Sequence, residues 1–482
     1  MGTDTKVRVM SGFVWRCAEN ACFQLIQFVV SLTLARMLTP SDYGMIGLIT
    51  VFVSVMRVFA QSGLGQALVQ RKDADNTDFS TVFYYSIAVS TLLYFILFFA
   101  SPYIAKFYGQ PEIIPVIRVL GISVIICSIN GVQQAYIQKK MQFKRFFYST
   151  VIGTIISALI GLYMAYSGYG VWSLVGQTIS SQIINTVVLW MMTDWRPVLK
   201  FSFTRMKRLL SYGWKLLCSS LLDTVYNNIY TLVIGKFYSS TDLGYYNKGK
   251  GFSMLIINNV NSSLNSVLLP VMSEAQNEIE RLRAMVRRSI KVSTFVIFPA
   301  MAGLAAIAEP LVKVLLTDKW LPAVPFIQFC CFTYAFWPIS TANLQAINAL
   351  GRSDIFLKLE IIKKVISMTV LVITIPYGLM VMMFARCVNA LVSSAINAYP
   401  NKKLLGYSYI DQVKDVFPII LCSIAMLLCV MPINGLEISE WVKLFIQIPV
   451  SVVIYIGLSI IFKVDSFNYI FGVIKKYINR DR

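Results

Sequence analysis

Apolar residues in this 482-residue chain gather in runs of about twenty, separated by short polar intervals. A helix of about 20 residues spans the roughly 30 Å hydrocarbon core of a bilayer. The pattern predicts fourteen such helices, over residues 11–37, 42–64, 79–103, 112–136, 147–167, 170–193, 209–237, 244–273, 287–309, 322–349, 355–376, 378–398, 415–432 and 441–462. Only Pro376-Tyr377-Gly378 divides the eleventh from the twelfth. No interval has room for a soluble domain, so the expected fold is an all-α integral membrane protein with short loops. Arg16, Glu19 and Asn20 interrupt the first run and no small-residue cleavage site follows it. It is therefore expected to stay as a span and not to act as a cleavable signal peptide.

Polar residues inside the runs form stripes. Arg16, Asn20, Gln24, Gln27 and Ser31 step along one face of the first helix at three- and four-residue intervals. Lys215, Ser219, Asp223, Asn227 and Thr231 do the same on the seventh, and Asn258, Asn261, Ser262 and Asn265 mark the eighth. The first and seventh helices lead into similar turns, Ala35-Arg36-Met37-Leu38-Thr39-Pro40-Ser41-Asp42-Tyr43-Gly44 and Gly235-Lys236-Phe237-Tyr238-Ser239-Ser240-Thr241-Asp242-Leu243-Gly244. Gln134-Ala135 is echoed by Gln345-Ala346, and Tyr169-Gly170-Val171 by Tyr377-Gly378-Leu379. Matches in this order mean an internal duplication, the plan of transporters whose two halves enclose a central site. The turns at Asp42 and Asp242 are expected to connect helices, leaving function to the helices before them.

Composition agrees: 57% of residues are apolar and 14% charged, against about 25% charged in soluble proteins. The net charge of +20 is explained by topology. Arg71, Lys72, Lys139, Lys140, Lys144, Arg145, the basic stretch 196–208, Arg281 to Lys291, Arg352, Lys402, Lys403 and the tail 463–482 fall on alternate loops. The opposite loops keep little beyond Arg36, Lys106, Lys236, Lys313, Lys319 and Lys443. The positive-inside rule then places both termini in the cytoplasm and removes any need for a nucleic-acid partner. The nine cysteines all lie in apolar runs without metal-ligand spacing, as small hydrophobes do. Histidine is absent, as are a P-loop, a Rossmann fingerprint and a nucleophile elbow. No metal, cofactor or catalytic residue is expected, and the chain is not expected to be an enzyme.

Charges at membrane depth carry the functional signal, because each costs about 2.5–3.5 kcal/mol at a helix centre. They are Arg16, Glu19, Arg57, Arg118, Lys215, Asp223, Lys248, Lys250 and Arg386. Lys248 and Lys250 also suit a headgroup layer, and Arg16 and Lys215 can snorkel. Glu19, three residues on, can also neutralise Arg16. The expected site is a cavity made electropositive by Arg16, Arg57, Arg118, Lys215 and Arg386. Its polar lining is expected from Asn20, Gln24, Gln27, Asn227, Asn258 and Asn261. Cations attract phosphate and amides suit sugar hydroxyls, so an anionic, hydroxyl-rich substrate fits best. Glu19 and Asp223 are the candidates for ion coupling.

The span count, the duplicated halves, the basic link 195–208 and the turn Leu38-Thr39-Pro40-Ser41-Asp42-Tyr43-Gly44 resemble the Wzx-type polysaccharide flippases. Gly63-Leu64-Gly65-Gln66-Ala67-Leu68-Val69-Gln70-Arg71 is similar to the segment that follows it in that family. These belong to the multidrug/oligosaccharidyl-lipid/polysaccharide exporter superfamily, which shares its fold with the MATE antiporters. The resemblance implies a six-helix lobe over 1–194, a basic cytoplasmic linker at 195–208, a second six-helix lobe over 209–400, and two added helices with a basic tail over 401–482. It implies alternating access that carries polyprenyl-diphosphate-linked oligosaccharide to the outer leaflet of a bacterial inner membrane. The product would be O-antigen, capsule or exopolysaccharide, with membrane lipids, a polymerase and glycosyltransferases as partners. The rivals are a lipid II flippase, a MATE-like exporter and a membrane-embedded glycan polymerase or acyltransferase. A cation exporter needs more acids than Glu19 and Asp223, and the enzymes need a large loop or histidine that this chain lacks.

Overall fold

A computed structural model describes residues 3–478 except 62 and 72, and all regular structure among them is helical. Lys72 and residues 479–482, placed on the basic side by the charge pattern, lie outside the described residues. The chain forms two compact units, Met1–Gly244 and Tyr245–Arg482. The first contains α1 (Thr3–Met37), α2 (Pro40–Gln61), α3 (Leu64–Gln70), α4 (Asn76–Tyr108), α5 (Ile113–Lys140), α6 (Phe143–Tyr166), α7 (Val171–Met192) and α8 (Phe203–Phe237). The long α9 (Ser240–Glu274) begins in the first unit and continues into the second. The second unit goes on with α10 (Ile279–Ala306), α11 (Ala308–Leu315), α12 (Val324–Ala335), α13 (Trp337–Ala349), α14 (Ser353–Thr374) and α15 (Leu379–Leu405). It ends with α16 (Tyr409–Val430), α17 (Glu440–Ile461) and α18 (Asp465–Ile478).

Every expected span coincides with a long helix or, at 322–349, with the broken pair α12–α13. Ten helical segments among the described residues are long and apolar enough to cross a membrane. The remaining expected spans fall on α7, α8, α9 and α14, which are as long but more polar. On α8 and α9 that extra polarity is the stripe read from sequence. Gly378, at φ +96°, permits the sharp division between α14 and α15 that a side chain would resist.

The repeated turns are helix caps, and they touch. At Thr39 the hydroxyl and backbone N–H both donate to Asp42 Oδ2, at 2.7 and 2.9 Å, and Asp42 N–H donates back to Thr39 Oγ1 at 3.3 Å. Ser239 and Asp242 repeat all three bonds at 2.6, 3.2 and 3.0 Å. Each is a capping box that starts a helix cleanly. A Cβ on Gly44 would fall 1.7 Å from the Ser240 carbonyl oxygen, and one on Gly244 would fall 1.9 Å from that of Pro40. The first turns of α2 and α9 therefore cross backbone on backbone, at the same position of each copy.

The expected linker is not a free tether. α8 starts at Phe203, inside the 195–208 segment, because Ser202 caps it by accepting from Arg205 N–H. The extended stretch before it is strapped across α4. Val198 N–H donates to Ser80 Oγ at 2.9 Å and Ser202 N–H to Thr81 Oγ1 at 3.3 Å. Trp195 is buried among Phe79, Phe83 and Tyr136. Arg205 reaches Asp75 at 2.5 Å, while the fully buried Asp78 is held by Arg71 at 2.9 Å and Arg205 at 3.4 Å. A buried carboxylate is costly unless paired in this way.

In the second unit, α16 docks on α10 through Arg287, whose Nε and Nη2 both donate to Asp415 at 2.6 Å. Tyr407 Oη adds a bond to Asp415 at 2.8 Å, and Lys291 on α10 bonds Asp465 of α18 at 2.9 Å. Asn343, Asn401 and Gln412, all buried, join α13, α15 and α16 through side-chain amides at 2.7–3.0 Å. α16 and α18 are thus fastened to the helices of this unit by polar contacts, and α17 adds its own through Glu440 to Lys313 at 3.4 Å and Tyr455 Oη to the Phe295 carbonyl at 2.9 Å.

Candidate functional site

Arg16 on α1 is neutralised locally. Its Nη1 donates to Glu19 Oε2 at 2.6 Å, and Glu19 Oε1 accepts from Thr150 Oγ1 of α6 at 2.9 Å. The Arg16 guanidinium also lies 5.2 Å from the Phe146 ring. The pair therefore joins α1 to α6, with Glu19 buried and the Arg16 side chain 46% exposed. This is the neutralised arrangement that the i,i+3 spacing allowed.

Arg57 on α2 differs. It is half-buried, its Nη2 donates to Ser123 Oγ of α5 at 3.2 Å, and its Nε is buried with no hydrogen-bond partner. With the Gln182 amide of α7 turned to face it, Gln182 oxygen accepts from Arg57 and its nitrogen donates to the Ser123 carbonyl at 3.0 Å. Arg57 makes no ion pair among the described residues, so its charge is solvated by a hydroxyl and an amide. Arg118 on α5 is held similarly, with Nε donating to Ser101 Oγ of α4 at 3.1 Å and the guanidinium 4.2 Å above the Phe98 ring. Three expected site cations therefore sit at three separate helix contacts of the first unit.

The other expected residues divide by exposure. Lys215, Asp223 and Asn227 are exposed on α8, Asn20 is exposed on α1, and Gln24 and Gln27 are half-buried there. In the second unit Asn258 is exposed on α9, whereas Asn261 is buried and its Oδ1 accepts from Thr341 Oγ1 of α13 at 2.6 Å. Arg386 on α15 donates from Nη1 to Tyr246 Oη at 2.7 Å and from Nη2 to Tyr334 Oη at 3.1 Å. Both tyrosines are buried, so Arg386 serves the packing of α9, α12 and α15. Lys248, on the same helix as Tyr246, lies 5.7 Å from the Trp320 ring.

Sequence reasoning passed over one site. A cavity of about 300 Å³ opens in the first unit where Gly63, at φ +66°, separates α2 from α3. Gln61 and Gln66 flank the break, Gln134 and Gln138 face it from α5, and Ser128 and Ser220 add hydroxyls. Among the described residues, none that lines it is charged. Gln134 and Gln138 share a helix face, so their i,i+4 spacing opposite a Gly-Leu-Gly break was the available signal.

A two-unit helical bundle with intramembrane cations and polar stripes is the build of a membrane transporter. Solved structures agree on the fold. The lipid II flippase MurJ in an inward closed conformation superposes with a TM-score of 0.74 at 16% identity, over 94% of this chain and 99% of that one. An inward-facing MATE family transporter of the MOP superfamily gives 0.62 at 14%, over 80% and 98%. Among sequences, the teichuronic acid biosynthesis protein TuaB of Bacillus subtilis strain 168 is 26% identical over 72% of each chain. The succinoglycan biosynthesis transport protein ExoT of Rhizobium meliloti strain 1021 is 24% identical over 70% of this chain and 69% of its own. The lipopolysaccharide biosynthesis protein WzxC of Escherichia coli K12 is 21% identical over 76% and 75%. The polysaccharide biosynthesis protein family model matches residues 33–325. The chain belongs to that family: it is a multi-pass membrane protein of polysaccharide biosynthesis with the MOP superfamily fold.

Proposed function

We propose that this protein is a flippase that moves polyprenyl-diphosphate-linked oligosaccharide from the cytoplasmic to the outer leaflet of a bacterial inner membrane by alternating access. The observation that carries this reading is Arg57: a half-buried guanidinium within an apolar bundle, solvated by neutral groups and left with a buried unbonded N–H. Such a group keeps its full charge for an anion that arrives and leaves, which a carboxylate partner would forbid. Phosphate is the anion that lipid-linked glycans carry at the membrane surface. The names of TuaB, ExoT and WzxC place their owners in three different polysaccharide pathways, which fits a shared carrier step and leaves the glycan open.

In this reading both termini face the cytoplasm, as the loop charges require. Lys215, on the polar stripe of α8, is the second cation available to substrate in the first unit, while Arg118 and Arg386 each brace the helices of their own unit. Glu19, which neutralises Arg16, and Asp223 are the candidates for coupling to an ion gradient. A polymerase and glycosyltransferases would act before and after the transfer, and this chain itself would catalyse no bond change. Replacing Arg57 by Ala should remove surface polymer at unchanged protein level, with Arg57→Lys retaining part of it. Normal polymer in Arg57→Ala would overturn the assignment.

A further inference from the structure

We propose that the cavity at the α2–α3 break, walled by Gln61, Gln66, Gln134, Gln138, Ser128 and Ser220, is a binding site for an uncharged sugar ring of the substrate. The proposal rests on the flippase reading and deepens it by giving sugar and diphosphate separate places. Three observations lead to it.

The first is chemistry. Four carboxamides and several hydroxyls line one space, and among the described residues no lysine, arginine, aspartate or glutamate joins them. Carboxamides offer donors and acceptors together, which matches a hydroxyl, itself both donor and acceptor. A phosphate would find no cation here, and a lipid chain would leave the amides unsatisfied. About 300 Å³ is at the lower limit of small-molecule sites and admits one sugar ring.

The second is the comparison between the two copies of the repeat. Gln134 corresponds to Gln345, and the turn offset sets Gln61 and Gly65 against Asn261 and Asn265. In the second copy the matching amides bond across helices: Gln345 Nε2 donates to Asn265 Oδ1 at 2.8 Å and Asn261 Oδ1 accepts from Thr341 Oγ1 at 2.6 Å. There α9 also runs unbroken through Glu274. In the first copy the helix breaks at Gly63; Gln66, Gln134 and Gln138 line open space there together with Gln61, whose Nε2 also reaches Cys127 Sγ at 3.5 Å. The same fold can close this region and does so on one side, so the opening on the other side is not imposed by the architecture.

The third is the backbone. A Cβ added at Gly131, on the cavity wall, would meet nothing within 4 Å. Glycine within a helix costs about 1 kcal/mol relative to alanine. No neighbour demands it at Gly131, whereas a ring seated in the cavity does.

That open space also supplies the test, because Gly131→Leu adds a side chain on the cavity wall at a position whose Cβ meets no neighbour. Purified wild-type protein is examined by saturation-transfer-difference NMR with the methyl glycosides of glucose, galactose, mannose and N-acetylglucosamine, and separately with geranyl diphosphate. At least one glycoside should receive saturation from the wild type, lose it in Gly131→Leu, and bind about tenfold more weakly to Gln134→Leu. Gly131→Ala, with the same melting temperature, should keep part of the signal. Geranyl diphosphate should bind all of these variants alike and lose binding only in Arg57→Ala. Silence of the whole glycoside panel, or a signal undiminished in Gly131→Leu, overturns the sugar site and leaves the flippase reading standing. Glycoside binding without any binding of geranyl diphosphate overturns the flippase reading and leaves the sugar site.

Discussion

Single residues in this protein divide by what surrounds their polar atoms. Arg16, Arg118 and Arg386 were expected to act together on substrate, yet each has a local partner: Glu19, Ser101 with the Phe98 ring, and the Tyr246 and Tyr334 hydroxyls. Sequence placed these cations on long helices but did not reveal what each one touches, since Ser101, Tyr246 and Tyr334 lie on other helices at no fixed spacing. Removing Arg386 leaves two buried phenols without their donor, at about 1–3 kcal/mol each at most. Arg386→Ala should therefore lower the melting temperature in detergent clearly, while Arg57→Ala, which orphans one buried hydroxyl, that of Ser123, should lower it less. Equal destabilisation of the two variants would contradict this division.

Among elements, the strap from Thr193 to Ser202 departs furthest from expectation. Its basic composition reads as a solvated cytoplasmic loop, and only Trp195 hints otherwise. The burial of Trp195 against α4 and α5 depends on aromatic residues more than fifty positions away in sequence, which no local pattern encodes. Trp195→Ala should cost about 3–5 kcal/mol. The charged clamp beside it adds a pH signature. The hydrogen bond from Arg205 holds the Asp75 carboxyl below the usual carboxylate range. A depressed folded-state pKa stabilises above the unfolded value of about 3.9, and the contribution disappears as pH falls through the folded value. The strap should therefore stay fastened from neutral pH down to about 4 and loosen below it. Asp75→Asn should loosen it already at neutral pH, measured as faster amide exchange over residues 193–205 after correction for intrinsic rates.

The whole molecule was the most legible level. Apolar runs of bilayer length located the long helices among the described residues, because the thickness of the hydrocarbon core sets a minimum length for an apolar span whatever the tertiary detail. The repeat was legible for a similar reason: capping chemistry at Thr39-Asp42 and Ser239-Asp242 is local and survives divergence. Harder to read was the difference between the halves. The cavity at Gly63 and the amide pair Gln345–Asn265 fall at matching positions of the repeat, where Gly63 and Gly65 stand against Ser263 and Asn265. Loop charge makes a prediction at this scale. Cysteines introduced at Leu199 and Lys402 should react with an impermeant maleimide only in inverted vesicles, and one at Lys106 only in intact spheroplasts. The opposite pattern would reverse the membrane orientation and the direction of transfer with it.

The crossing of Gly44 and Gly244 bears on how such a chain arose. Each glycine meets the carbonyl of the residue four positions before its counterpart, so the contact is reciprocal. In an ancestor made of two identical half-length chains, that point would lie on the dyad, and one mutation would strike both sides of the contact at once. Any side chain there would have collided with its own duplicate's backbone, so selection against it would have been doubled. Gene fusion freed the halves to diverge, as the open cavity and its closed counterpart do, but left this crossing under the old constraint. Among natural variants, substitutions at either glycine should be as rare at one as at the other, even where the flanking helices share no residues.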